Sequence, residues 1–224
     1  WYKCLIDNKQ GFPIPLITDN IPLFFVENFS DAAGAAFNDS DSCTPIKDER
    51  GAAAITIVDN HINCLTVVTW SYDLLSKFPH NSAIVEAIGL IMPFIEFPEI
   101  FAGKFVKCNV DNISLVFNWE KKCTKNDEIT FFLIQTLHIL DIALPCKIFV
   151  DHSPRRSSKE TKLVDNLSRA DTTTSNDLKM VEKAHKKRLS GPLADWCVNP
   201  TLNVNSLSHN IVDAVNSKIS ANNK

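Results

Sequence analysis

Apolar positions in this chain gather into short runs whose spacing predicts strands alternating with helices. Residues 23–29 are apolar and aromatic enough for a buried strand, and a Gly/Ala-rich turn from Asp31 to Phe37 follows. Residues 38–50 are polar and loop-like. Two β-branched runs, 52–58 and 62–70, are separated by Asp59-Asn60-His61, a hairpin signal, so three consecutive antiparallel strands are expected. A helix is expected over 83–97, capped by Asn81 or Ser82, with Ile84, Ile88, Ile91 and Ile95 near one stripe and Glu86 in its first turn. Pro93 should kink or shorten it. Beyond it come a fourth strand at 104–110, a short helix at 113–119, an amphipathic helix at 127–144, a fifth strand at 147–150 and a helix at 159–168.

The flanks read differently. Residues 1–22 carry Pro13, Pro15 and Pro22 and are expected to form an extended tether, leaving 23–170 as the compact domain. Residues 171–224 are expected to be a linker (171–177) followed by a helical extension: a basic helix, then an amphipathic one over 206–219. Trp1 in place of an initiating methionine suggests a piece of a longer or processed chain.

Composition narrows the picture. With 224 residues and 45% apolar content, the chain can bury a sizeable core. Seven scattered cysteines, an odd number without a Cys-x-x-Cys pair, argue against a disulfide framework or zinc site. They point to a reducing intracellular compartment, cytoplasm or nucleus. No uninterrupted apolar run of membrane-spanning length and no signal peptide is present, so a soluble chain without a membrane partner is expected. The net charge is only −3 but uneven: residues 151–188 hold ten Lys/Arg against six Asp/Glu, and the remainder thirteen against twenty. Acids that bind metal beside bases that hold phosphate would suit a nuclease. Lys183, Lys186, Lys187 and Arg188 also read simply as one solvated helix face.

The candidate chemistry lies in Asp31, Glu86, Asp111 and Asp165. Three antiparallel strands, a helix, then alternating strands and helices is the order of the ribonuclease H fold. In that order Asp31 and Asp111 sit on adjacent central strands facing one cleft, Glu86 approaches from the first helix and Asp165 from the last. In-line phosphodiester hydrolysis develops charge on the attacking and leaving oxygens, which two Mg2+ ions roughly 3.5–4 Å apart can stabilise. Such ions favour carboxylate oxygen over Cys or His.

Ser30-Asp31-Ala32-Ala33-Gly34 resembles the opening motif of RNase H domains in retroelement polyproteins, and Val110-Asp111-Asn112 before a short apolar helix resembles their third acidic motif. The stretch from His152-Ser153-Pro154 to Val164-Asp165-Asn166-Leu167-Ser168-Arg169 resembles their "His-x-Pro … Ala-Asp-x-Leu-Ser-Arg" ending, most closely in DIRS-like, tyrosine-recombinase elements. The resemblance spans residues 23–170. It implies an α/β, ribonuclease H-like fold with a five-stranded mixed sheet, three antiparallel strands then parallel ones, flanked by helices. It implies a metal-binding quartet of Asp31, Glu86, Asp111 and Asp165, a catalytic-site His152, and nucleic-acid contacts from Arg155, Arg156, Lys159 and Arg169. Glu96 and Glu99 are further candidates for the helical ligand. The implied activity is Mg2+-dependent cleavage (Mn2+ a substitute) of the RNA strand of RNA–DNA hybrids, beside the reverse transcriptase domain of the same polyprotein.

Plainer roles stand beside these. Asp111-Asn112 suits a helix cap, Asp31 a turn, Glu86 a helix-dipole partner, Asp165 a surface acid and His152 an ordinary loop residue. The alternative function is a catalytically inactive RNase H-like interaction module from a decayed or domesticated element. A transposase or integrase core fits less well, since it places its glutamate after the second aspartate.

Overall fold

A computed structural model describes residues 25–33, 37–38, 41–45, 50–70, 74, 77, 82–122, 128–169, 172–201, 204 and 206–222. The expected tether at 1–22, Gly34 of the first turn and parts of the 38–50 loop lie outside the described residues.

The strands are β1 (Phe25–Ala32), β2 (Phe37–Asn38), β3 (Asp41–Pro45), β4 (Gly51–Val58), β5 (His61–Thr69), β6 (Phe105–Val110), β7 (Lys147–His152) and β8 (His185–Arg188). The helices are α1 (Ser82–Glu96), α2 (Pro98–Phe101), α3 (Ile113–Lys121), α4 (Glu128–Ala143), α5 (Lys159–Leu167), α6 (Ser175–Met180), α7 (Pro192–Val198) and α8 (Leu207–Asn222). The main sheet runs β7-β6-β1-β4-β5-β8, and β2 and β3 pair separately. β1, β4 and β5 are antiparallel, whereas β6 joins β1 and β7 joins β6 in parallel. This is a mixed α/β arrangement with ribonuclease H-like connectivity.

Three expectations change. Part of the 38–50 segment, expected as a loop, is β3, which pairs antiparallel with β2. The main sheet has six strands, not five, because the basic segment expected as a helix is the edge strand β8, parallel to β5. Its neighbour, expected as linker, contains α6, whose N-cap Thr174 and Asp177 form a reciprocal capping box.

The β4–β5 hairpin turns at Asp59 and Asn60, both with positive φ (51° and 62°), as a two-residue primed turn requires. α1 packs against β1 and β4 on one face, with α4 behind it. Ile84, Ile88, Ile91, Met92 and Phe94 are fully buried, each contributing on the order of 2 kcal/mol. That burial carries α1 through Pro93 to Glu96 instead of stopping it there. α5 covers the opposite face, where Leu163 and Val164 meet Phe29, Ile55 and Leu65.

Small residues let α1 approach the sheet. Ala52 and Ala54 are buried at 1% exposure or less, and a Cβ built on Gly89 would lie 3.3 Å from Ala52 Cβ and 3.7 Å from Asp31 O. A larger residue at Gly89 would push α1, and Glu86 one turn before it, away from β1. Among the described residues, no helix is long and apolar enough to cross a membrane.

Candidate active site

Asp31 is the penultimate residue of β1, opposite Ala53 of β4, and Asp111 follows the last residue of the parallel neighbour β6. Parallel pairing puts these two strand ends side by side. Asn112, rather than Asp111, caps α3: its side chain accepts from the Ser114 and Leu115 backbone N–H groups at 3.0 and 3.3 Å. The cap and acid roles are thus divided between neighbouring residues, and Asp111 stays free to face β1. Glu86 enters from α1, just past the first turn rather than within it. One carboxylate oxygen from each of Asp31, Glu86 and Asp111 lies within 4.8 Å of the other two.

The three acids are poorly compensated. Glu86 is buried, and its Oε2 has no hydrogen-bond partner. Burial, then the Asp31 and Asp111 charges, push its pKa well above the ordinary glutamate value, against a lowering by Arg155 and the Ala32 backbone. Burial also raises Asp31, although the Ser168 hydroxyl donates to its Oδ2 at 2.7 Å. Close carboxylates, an unpartnered buried oxygen and an oxygen-only donor set fit a hard divalent cation. Glu96 is committed elsewhere, accepting from the Ser190 backbone and hydroxyl (both 2.8 Å) and Lys218 (3.0 Å). Glu99 is exposed on α2.

Asp165 behaves differently. It sits in α5, whose start is fixed by a Ser158–Thr161 capping box. Arg155 Nε approaches one of its oxygens at 2.9 Å, Arg156 Nε donates to the other at 2.6 Å, and Arg169 pairs with it from one turn ahead. Burial pushes the Asp165 pKa up, but hydrogen bonds from Arg169 and Arg156 and the Arg169 and Arg155 charges outweigh it and hold the carboxyl below its ordinary value. Arg155 also lies 3.7 Å from Asp31 and 3.5 Å from Asp111, so it links Asp165 to the other acids. Arg156 has φ +56°, a left-handed conformation costing about 1–3 kcal/mol for a non-glycine residue, which bends the loop so that both guanidinium groups reach Asp165.

Of the other residues singled out from sequence, His152 is exposed at the end of β7, beside Val110. Lys159 is exposed and lies 3.7 Å from Glu160. Arg155, Arg156 and Arg169, read as phosphate contacts, all engage carboxylates here. Sequence reasoning did not assign the hydroxyl of Ser168 to Asp31, although the Leu-Ser-Arg signature that ends α5 marks the residue.

No family model and no curated protein matches this chain. Its fold is similar to several solved structures. RNase H1 from the halophilic archaeon Halobacterium salinarum NRC-1 aligns with TM-score 0.46 and 14% identity over 66% of this chain and 96% of that one. LC11-RNase H1, solved with an RNA/DNA hybrid, aligns with TM-score 0.46 and 8% identity over 62% and 92%. An N-terminal RNase H domain from Mycobacterium tuberculosis, solved as a fusion with maltose binding protein, aligns with TM-score 0.43 and 12% identity over 66% and 93%.

Proposed function

We propose that this chain is a divalent-metal-dependent endoribonuclease that hydrolyses the RNA strand of RNA–DNA hybrids within a retroelement reverse-transcription protein. The observation that carries the reading is the convergence of Asp31, Glu86 and Asp111, with Glu86 Oε2 unpartnered, at one end of a ribonuclease H-like sheet. These three residues would hold the cation, with Asp165 a fourth ligand if its arginines withdraw. Bound Mg2+, as two ions or with Mn2+ in its place, supplies an activated water and neutralises charge on the reacting phosphate.

The remaining work falls to the chain's own groups. The Ser168 hydroxyl fixes the orientation of Asp31. Arg155, half-exposed at the mouth of the cluster, can exchange carboxylate for substrate phosphate. The exposed Arg156 and Lys159 extend the positive rim, and His152 stands at the same strand ends as Asp111. Contacts to backbone phosphate and 2′-hydroxyls give little sequence selectivity. Pairing with a reverse transcriptase domain, and action in a reducing intracellular compartment, belong to the same proposal. The burial of Cys64, Cys108, Cys146 and Cys197 as free thiols is compatible with the latter.

A second reading, a catalytically inactive interaction module, is favoured by Arg155, which already forms ion pairs with three of the four acids. Mg2+-dependent cleavage of a labelled RNA–DNA hybrid separates the two. Cleavage by the protein and its loss in Asp111→Asn at equal hybrid binding supports the nuclease. Binding without cleavage by either protein supports the module.

A further inference from the structure

The register of the sheet carries a feature that its sequence hides. Arg188 of β8 pairs with Val67 of β5, Val67 with Ala53 of β4, and Ala53 with Asp31 of β1. Paired residues project from the same face of a sheet. Arg188 and Asp31 therefore share one cross-strand row and one face, three strand spacings apart, a lateral distance of about 14 Å. One row further from that end, Lys186 pairs with Leu65, Leu65 with Ile55 and Ile55 with Phe29, all on the face that α5 covers near β1.

Two backbone links join the acid end of the sheet to the ground between it and β8. Arg50, just before β4, bridges to Arg169, just after α5, and the Ser168 carbonyl accepts from the Gly51 N–H at 2.9 Å. The backbone thus fixes Arg169 and Arg50 along the rim between the acids and β8. His185, Lys186, Lys187 and Arg188 are all exposed, although they belong to a hydrogen-bonded strand. Their partners differ by face. Lys187 turns to the α1 side, where its Nζ donates to Glu96 O at 2.5 Å and lies 4.3 Å from the Phe97 ring centre. Arg188 donates to Thr69 Oγ1, which steadies its guanidinium at the sheet end. Lys186 lies on the Arg188 face.

We infer that Lys186 and Arg188 form a second grip on the nucleic-acid backbone, reached from the acidic site along Arg169 and Arg50. The inference rests on the nuclease reading for the identity of the partner, a hybrid duplex, but concerns a surface outside the acid cluster. At about 3.4 Å of helix axis per phosphate on each strand, 14 Å corresponds to roughly four phosphates, so one duplex can meet both places. A strand-mounted pair of cations loses less freedom on binding than a flexible tail, and guanidinium matches phosphate with paired donors.

The test is binding of a fluorescent RNA–DNA hybrid to the full chain in Ca2+, from 50 to 200 mM KCl, with Mg2+ cleavage followed separately. Lys186→Thr/Arg188→Thr, which keeps strand-favouring side chains, should weaken binding about tenfold at mid-range salt. It should also lower the slope of log affinity against log salt by about 1.8, two lost phosphate contacts. Lys186→Arg/Arg188→Lys, which keeps both charges, should keep the parent's salt slope, which separates charge from folding damage. Affinity and slope unchanged in the Thr variant would overturn the grip and leave β8 as a charged guard on a sheet edge. A parent chain that binds hybrid with the expected variant effect but never cleaves it would sink the hydrolase reading while keeping the surface. A parent that binds no hybrid would end both.

Discussion

On the α1 side of the site, Glu86 is 6% exposed with one carboxylate oxygen unpaired; on the α5 side, Asp165 is 1% exposed and meets three guanidinium groups. Both side chains are almost inaccessible to solvent and desolvation pushes both carboxyls upward, Glu86 with more protein packed around it than Asp165. Depth and compensation together separate them: Glu86, deeper and beside two acids, is raised well above its ordinary value, and Asp165, held by three arginines, is lowered below its own. An acid is therefore not marked for a cation by being buried in a cleft. It is marked by being buried beside other acids with too few donors, and on that measure Asp31, Glu86 and Asp111 form the cation-seeking half while Asp165 is already neutralised.

The hardest test of this division removes the cation-seeking half. Asp31→Asn should lower Mg2+-dependent hybrid cleavage on the order of 10³-fold, equivalent to about 4 kcal/mol of lost transition-state stabilisation. Retained cleavage would mean that Asp31 holds nothing essential. Stability should then separate the halves by sign. Without divalent cations at pH 8, Asp165→Asn should destabilise the fold by about 1–3 kcal/mol in urea, a range reduced because Arg155 and Arg156 are half-exposed. Glu86→Gln should instead stabilise it by up to about 1 kcal/mol, because it removes a buried charge from beside two others. Shifts of the same sign in both variants would break the comparison.

How legible this was depends on what each residue leans on. Asp31 and Asp111 were readable because apolar strands end at them and the parallel partnership of β1 and β6 follows from element order. Glu86 was readable because the stripe of Ile84, Ile88, Ile91 and Ile95 announces its helix. β8 was not, since His185-Lys186-Lys187-Arg188 has no apolar alternation: backbone pairing at a sheet edge holds it, with side chains exposed on both faces. α6 carried a readable signal in Thr174 and Asp177, a capping pair hidden in a polar stretch that reads as linker. The engagement of Arg155 and Arg156 depends on a left-handed turn at Arg156, which no local pattern favours.

Arg155 spans the two halves, and its removal should sharpen the contrast between them. Its guanidinium lies 2.9–3.7 Å from acids on both sides, so a divalent cation must compete with it for Asp31 and Asp111. Arg155→Gln should tighten Ca2+ or Mg2+ binding about three- to tenfold by calorimetry, on the scale of one partly screened charge. Equal or weaker binding would show that Arg155 does not oppose the cation.

The smallest effect is in pH. Asp31 and Glu86 have folded-state pKa values above their unfolded ones, so their stabilising contribution is fully present below the ordinary carboxylate range. It is lost as pH rises through the folded values, where two buried charges must coexist. Asp165 runs the other way, contributing above its unfolded pKa and losing that contribution as acid protonates it. A divalent cation binds the deprotonated forms of Asp31 and Glu86, so its binding opposes the first loss and releases protons. The Mg2+-induced rise in Tm should accordingly be small at pH 5 and larger, by a few degrees, at pH 8. In Glu86→Gln most of that pH dependence should disappear, while in Asp165→Asn it should persist, because the proton released on binding comes from the α1 side. A Tm gain independent of pH in the parent protein would show that the cation binds away from the raised carboxyls.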